Sequence, residues 1–160
     1  MQFLNYFLAS LVSYFGLVAG ILLVRIAPEE QKPLGKYFLV LRKILVLLIF
    51  IFLAFYYHKN LIYISALAVF FILAVFLEYK GKDSIKKSMV AYAMLGFLFF
   101  LGSQNKNLFL IESSLIFLYG MPAASLIYNK KNMYVLLLKN SVFVLIANLL
   151  YFVTISRPLF

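Results

Sequence analysis

The sequence predicts an all-α integral membrane protein, a polytopic helical bundle of about six transmembrane helices in one domain covering residues 1–160. Three observations predict it. Hydrophobic residues make up 66% of the chain and charged ones 12%, against about half and about a quarter in ordinary soluble domains. A soluble globule of this length would leave much of that apolar surface in water. The apolar residues also run in unbroken blocks, such as Ile44 to Tyr57 and Leu61 to Leu77, whereas barrel strands alternate. Finally, hydrocarbon requires every backbone N–H and C=O to be paired within its own element, and a continuous apolar block meets that requirement as a helix.

The first span is Phe3–Ile26. It lacks a basic leader, since the first positive side chain is Arg25, and its apolar run is longer than a signal peptide's with no small-x-small site after it. It therefore reads as a retained helix. Gly16 and Gly20 form a G-x-x-x-G pair with Ser13 nearby, a seam for another helix within the bundle or in a second copy. The connection Pro28–Lys36 opens on Pro28, Glu29 and Glu30, which suit a short interfacial turn with acids at a helix start.

The second and third spans are Tyr37–Tyr57 and Leu61–Tyr79, the latter short and anchored by Tyr79 and Lys80. The fourth, Lys87–Ser103, is the weakest. Its strictly apolar part, Met89 to Gly102, reaches about 21 Å at 1.5 Å per residue, against ~30 Å of hydrocarbon. It crosses if Lys86 and Lys87 snorkel or the bilayer thins; otherwise it is re-entrant, leaving five spans. Six is preferred because the block is apolar all round. The fifth and sixth spans are Leu108–Tyr128 and Met133–Val153, and every connection is short and polar.

Charge placement predicts orientation. Arg25, Lys32, Lys36, Arg42, Lys43, Lys80, Lys82, Lys86, Lys87, Lys130, Lys131 and Lys139 fall on one side, and only Lys59, Lys106 and Arg157 on the other. The positive-inside rule makes the first side cytoplasmic and puts both termini outside. Tyr6, Tyr37, Tyr56, Tyr57, Tyr79, Tyr128, Tyr134 and Tyr151 fall near span ends, as an aromatic belt requires. The basic balance, +10 overall, thus implies anionic lipid headgroups on the inner face as partner, not nucleic acid. An echo, Lys59-Asn60-Leu61-Ile62-Tyr63-Ile64 against Lys106-Asn107-Leu108-Phe109-Leu110-Ile111, suggests that spans two–three and four–five repeat one hairpin, a device common in transporters.

The chemical inventory is small. There is no cysteine, one histidine (His58) and five carboxylates, so no metal or cofactor is expected. Glu112, followed by Ser113 and Ser114, is the most suspicious residue. An ionisable group at membrane depth is expensive and points to function, here a proton carrier or a cation ligand; the alternative is that it reaches the interface or pairs with Lys106. Pro122 removes a backbone bond in span five and leaves the Leu118 carbonyl free, as a hinge, an ion ligand or a packing bend. Gly120 and Ala124 beside it permit close helix approach. Ser141 and Asn148 share a face of span six, which also carries Lys139 and Asn140. Glu112, Pro122, Ser141 and Asn148 are therefore the expected polar path of a small transporter or channel between helices five and six. An accessory or structural subunit of a larger membrane complex, or a homo-oligomer, is the competing expectation. A lipid-modifying enzyme would have only Glu29 and Glu30 to work with on the inner side, which weighs against it.

Overall fold

The computed structural model describes residues 2–79, 85–128 and 132–156. The helices are α1 Phe3–Ile26, α2 Gln31–Tyr57, α3 Leu61–Tyr79, α4 Ile85–Gly102, α5 Lys106–Ile127, α6 Met133–Asn140 and α7 Val142–Ser156, with a 3-10 turn at Pro28–Glu30 between α1 and α2. No strand occurs among the described residues, and the protein is an all-α bundle. Five helical stretches are long and apolar enough to cross a membrane: Phe3–Ile26, Pro33–Tyr57, Ile85–Gly102, Lys106–Ile127 and Met133–Thr154, while the apolar helix Leu61–Leu77 is shorter. These spans make it a multi-pass membrane protein. Of the basic residues that predict orientation, Lys80, Lys82, Lys130, Lys131 and Arg157 lie outside the described residues.

The fourth span is firmer than its composition suggests. Helix α4 starts at Ile85, ahead of the lysines, and runs unbroken for 18 residues, about 27 Å. The sixth departs from expectation in the other direction, since it is two helices separated at Ser141. The Ser141 hydroxyl donates to the Leu138 carbonyl at 2.7 Å, the local side-chain bond by which serine competes with the helical ladder. Backbone bonds from Ser141 N–H to Leu137 and from Leu145 N–H to Ser141 still bridge the break, so α6 and α7 act as one interrupted span.

Helix α5 is the hub of the bundle and packs on α1, α2 and α4; α7 packs on α4 and α1, while α3 touches α2 and α4 only lightly. The α1–α5 contact is built from the small residues legible in the sequence. A Cβ on Gly16 would meet the Phe117 carbonyl, and one on Gly20 would stand 2.5 Å from the Met121 oxygen and 2.8 Å from the Ala124 Cβ. A Cβ on Gly120 would collide with the backbone of Gly16 and Leu17. The G-x-x-x-G face of α1 and the Gly120–Ala124 face of α5 thus meet each other, within the bundle. Ser13 adds a hydrogen bond across the seam to the Ser113 carbonyl at 3.1 Å. Elsewhere the core is large and aromatic: Tyr6 stacks on Tyr151 at 4.1 Å and on Phe109 at 5.6 Å, and Phe99 packs on Phe109 and Phe143.

The internal echo does not carry into the caps. Asn60 precedes α3 and its side chain accepts from the Ile62 N–H at 3.2 Å. Its counterpart at the repeat offset, Asn107, is already inside α5, whose cap is Asn105, accepting from the Asn107 and Leu108 N–H groups. Equivalent letters occupy inequivalent positions.

Candidate functional site

Asn105 fixes where α5 begins, and from there the three- and four-residue spacing sets one buried stripe: Leu108, Glu112, Ile116, Tyr119 and Ala123. Glu112 is therefore carried into the interior and is 0% exposed. Neither of its carboxyl oxygens has a hydrogen-bond partner among the described residues. Lys106, its expected partner, is exposed, so the interfacial alternative is not the arrangement found. The carboxyl lies against Gly102, where an added Cβ would collide with Oε2. Only a glycine lets it lodge there.

Gly102 is also the last residue of α4, so the carboxyl sits beside the negative end of a helix dipole. The nearby carbonyls are already engaged: Leu101 accepts from Gln104 N–H and from the Tyr57 hydroxyl at 2.8 Å, and Gly102 accepts from Asn105 N–H. Tyr6, within electrostatic reach of Glu112, spends its hydroxyl on the Ala147 carbonyl at 3.1 Å. A buried polar group without a partner costs about 1–3 kcal/mol, and here both oxygens of one carboxyl are in that state. What the arrangement can do is attract and hold a positive charge, since a carboxyl and a helix C-terminus act together on the same spot.

A second polar cluster occupies the opposite, basic end of the interior. The Ser88 hydroxyl donates to Asn140 Oδ1 at 3.1 Å. Asn140 is fully buried and its Nδ2 has no partner among the described residues. Arg42 is 3% exposed and lines a cleft with Lys87, Ser88 and Tyr119. One turn along α4, the Tyr92 hydroxyl is likewise buried without a partner among the described residues. Ser88 and Gly102 stand at the two ends of one helix, about 21 Å apart along its axis. Between them Leu95, Leu98 and Phe99 of α4 and Ile116 of α5 are buried apolar residues. The interior thus has a polar station near each end and an apolar layer between.

The four expected path residues are not brought into one groove. Pro122 is buried inside an uninterrupted α5, beside the contacts of Met121 and Ala124 with α1, and belongs to that packing face. Ser141 is half-buried at the break between α6 and α7 and bonded back to Leu138 of α6, on a groove with Tyr14 and Tyr134. Asn148 donates to Ser10 of α1 at 3.0 Å and to the Val144 carbonyl at 2.8 Å, a cross-helix bond on the α1–α7 face. Helix five finds its main partners in α1, α2 and α4, so Glu112 opens toward α4 and not toward α6–α7. His58 lies exposed in its turn, with Nδ1 2.8 Å from the Phe55 carbonyl, and Glu29 is exposed in the 3-10 turn.

Several residues that matter were not singled out by the sequence. Gly102 and Gly96 look like ordinary glycines of an apolar helix, yet a Cβ on Gly96 would stand 2.8 Å from the Phe143 carbonyl of α7. Arg42 reads as an interfacial cation, but it shares a stripe with buried Leu45, Ile49 and Leu53, and with apolar residues on every face of that stretch the spacing alone does not mark which side is inward. Compared with known protein families, curated proteins and solved structures, the chain matches none.

Proposed function

We propose that this protein is a small membrane transporter or channel that passes a cation, foremost a proton, by way of Glu112 at the junction of α4 and α5. The observation that carries the reading is the Glu112 carboxyl, fully buried with neither oxygen hydrogen-bonded among the described residues. Such a group either carries a proton or holds a cation, and its place at the C-terminal end of α4 favours positive charge and disfavours an anionic substrate. Buried polar atoms beyond the apolar layer, on Tyr92 of α4 and on Asn140 of α6, give the permeant a second station, and the layer of Leu95, Leu98 and Phe99 is the barrier a conformational step must open. By the positive-inside rule the Arg42 end faces the cytoplasm, with both termini and Glu112 toward the outside.

The test is flux in liposomes containing a pH-sensitive dye. The wild-type protein dissipates an imposed proton or cation gradient; Glu112→Gln lowers that flux at least tenfold, and Gly102→Ala, which pushes the carboxyl out of its seat, lowers it too. Lys106→Gln leaves it unchanged. A wild-type protein that moves neither protons nor alkali cations, or a Glu112→Gln variant as active as wild type, overturns the reading.

One observation favours a second role, that of an accessory subunit. Helix α3 presents Ile62, Val69, Ile72, Leu73 and Phe76 outward and is lightly attached to the rest. A stoichiometric partner in gentle detergent extracts, cross-linking to α3, would support that role.

A further inference from the structure

We infer that Tyr57 is the gate of the Glu112 seat. While its hydroxyl holds the Leu101 carbonyl, its ring closes the seat; its release opens the seat and frees that carbonyl for an entering cation. The inference rests on the transport reading for what passes, and on separate observations for what moves.

Two phenols lie within electrostatic reach of the Glu112 carboxyl, those of Tyr6 and Tyr57. They are held very differently. Tyr6 is fully buried; its ring packs among Phe99, Phe109 and Tyr151, and its hydroxyl is spent on Ala147 of α7. Moving it would take apart the junction of α1, α4, α5 and α7. Tyr57 is the last residue of α2, and His58, Lys59 and Asn60 just beyond it form an exposed turn. Its ring stacks on Tyr63 at 4.6 Å and meets Tyr56 edge-on at 4.9 Å, and both of those rings are exposed. Tyr63 belongs to α3, which is only lightly attached to the rest. Tyr57 is therefore the phenol that can swing.

Its position makes that swing an opening. Side chains on a helix lean toward the helix N-terminus, so from the end of α2 the ring reaches into the bundle. Its hydroxyl lands on Leu101 at 2.8 Å, the residue before the Gly102 against which the carboxyl lies. The ring thus occupies the way from the α2–α3 turn to Glu112. Release also changes the chemistry. A carbonyl oxygen has two lone pairs, and Leu101 accepts from both the Gln104 N–H, at 3.3 Å, and the Tyr57 hydroxyl. When Tyr57 leaves, a bare lone pair at the negative end of α4 stands beside the carboxyl, and both face the entering cation. Opening the seat and completing it are one event.

The chain has no cysteine, so Glu112→Cys puts a single thiol in the seat. The protein is reconstituted in liposomes with a small cationic methanethiosulfonate on both faces, and labelling is followed by mass spectrometry. With Tyr57 in place the thiol is protected. Tyr57→Phe, which keeps the ring and loses the bond to Leu101, speeds labelling about fivefold, the yield of one ordinary hydrogen bond. Tyr57→Ala speeds it at least tenfold. A thiol from Ala123→Cys, buried elsewhere on α5, stays protected beside Tyr57→Ala, which separates opening of the seat from general loosening. If Tyr57→Ala does not fold, Tyr57→Phe decides. Labelling at position 112 that is rapid with Tyr57 present, or indifferent to both substitutions, overturns the gate, as does equal exposure of the Ala123→Cys thiol. Flux is read separately in proteins that keep Glu112. Glu112-dependent flux with labelling indifferent to Tyr57 removes the gate and spares the transport reading; labelling that follows Tyr57 in a protein without flux does the reverse.

Discussion

The α1–α5 seam and helix α3 are both apolar and both helical, yet they hold to the bundle in opposite ways. At the seam, glycines remove the side chains and the two backbones press together, Gly20 against Met121 and Ala124, Gly120 against Gly16. Helix α3 carries large side chains almost throughout, and of these Leu67 is the one buried in the core among its described residues. In water the second helix would be the more strongly driven to pack. In hydrocarbon, burying a leucine gains little because lipid is as apolar as the protein, and close van der Waals approach decides instead. The comparison teaches that attachment in this molecule follows backbone proximity, not side-chain hydrophobicity.

The sharpest way to break that comparison is Gly120→Leu. Overpacking an ordinary core costs about 1–3 kcal/mol; here the new side chain strikes the backbone of Gly16 and Leu17, which cannot move aside without parting the helices. The expected outcome is loss of the folded bundle, read by steric trapping in bicelles. Leu67→Ala, at 3% exposed, should cost about 1–2 kcal/mol, less than the 2–5 of soluble cores, since only packing and not transfer from water is lost. The smallest effect belongs to Ile72→Ala, 66% exposed on the same helix, within about 0.5 kcal/mol of wild type. If Leu67→Ala instead proved as damaging as Gly120→Leu, α3 would be an integral part of the core and the distinction would fail.

The positions of the helices were legible in the sequence because length and hydropathy depend only on crossing hydrocarbon; the first five expected spans each overlap one observed helix, although α2 begins at Gln31 within the expected connection, and the sixth is divided between α6 and α7. Which face of each helix turns inward was not. Lipid and protein interior are both apolar, so the stripe Leu45, Ile49, Leu53 that marks the buried side of α2 has no polar side opposite it to reveal its direction. Gly16, Gly20, Gly120 and Ala124 stood out because absence of bulk is itself a signal, although which faces would pair was unreadable. Glu112 stood out by its cost, but its orientation depended on Gly102 of another helix, and the joining of Arg42, Ser88 and Asn140 depended on three. Ser141 and Asn148 were grouped by their shared face, and that grouping could not foresee that α7 would lean on α1 instead of α5.

The seam also has a consequence for how the chain is made. Ser13 and the Ser113 carbonyl that it binds are 100 residues apart, so at about 5–20 residues per second α1 enters the bilayer roughly 5–20 s before its counterpart is synthesised. Throughout that interval the glycine ridge of α1 lies bare in lipid, able to dock on the same ridge of another nascent chain. Biogenesis is thus a race between completing one polypeptide and meeting a second, and crowding many ribosomes on one patch of membrane shifts the odds toward the wrong partner.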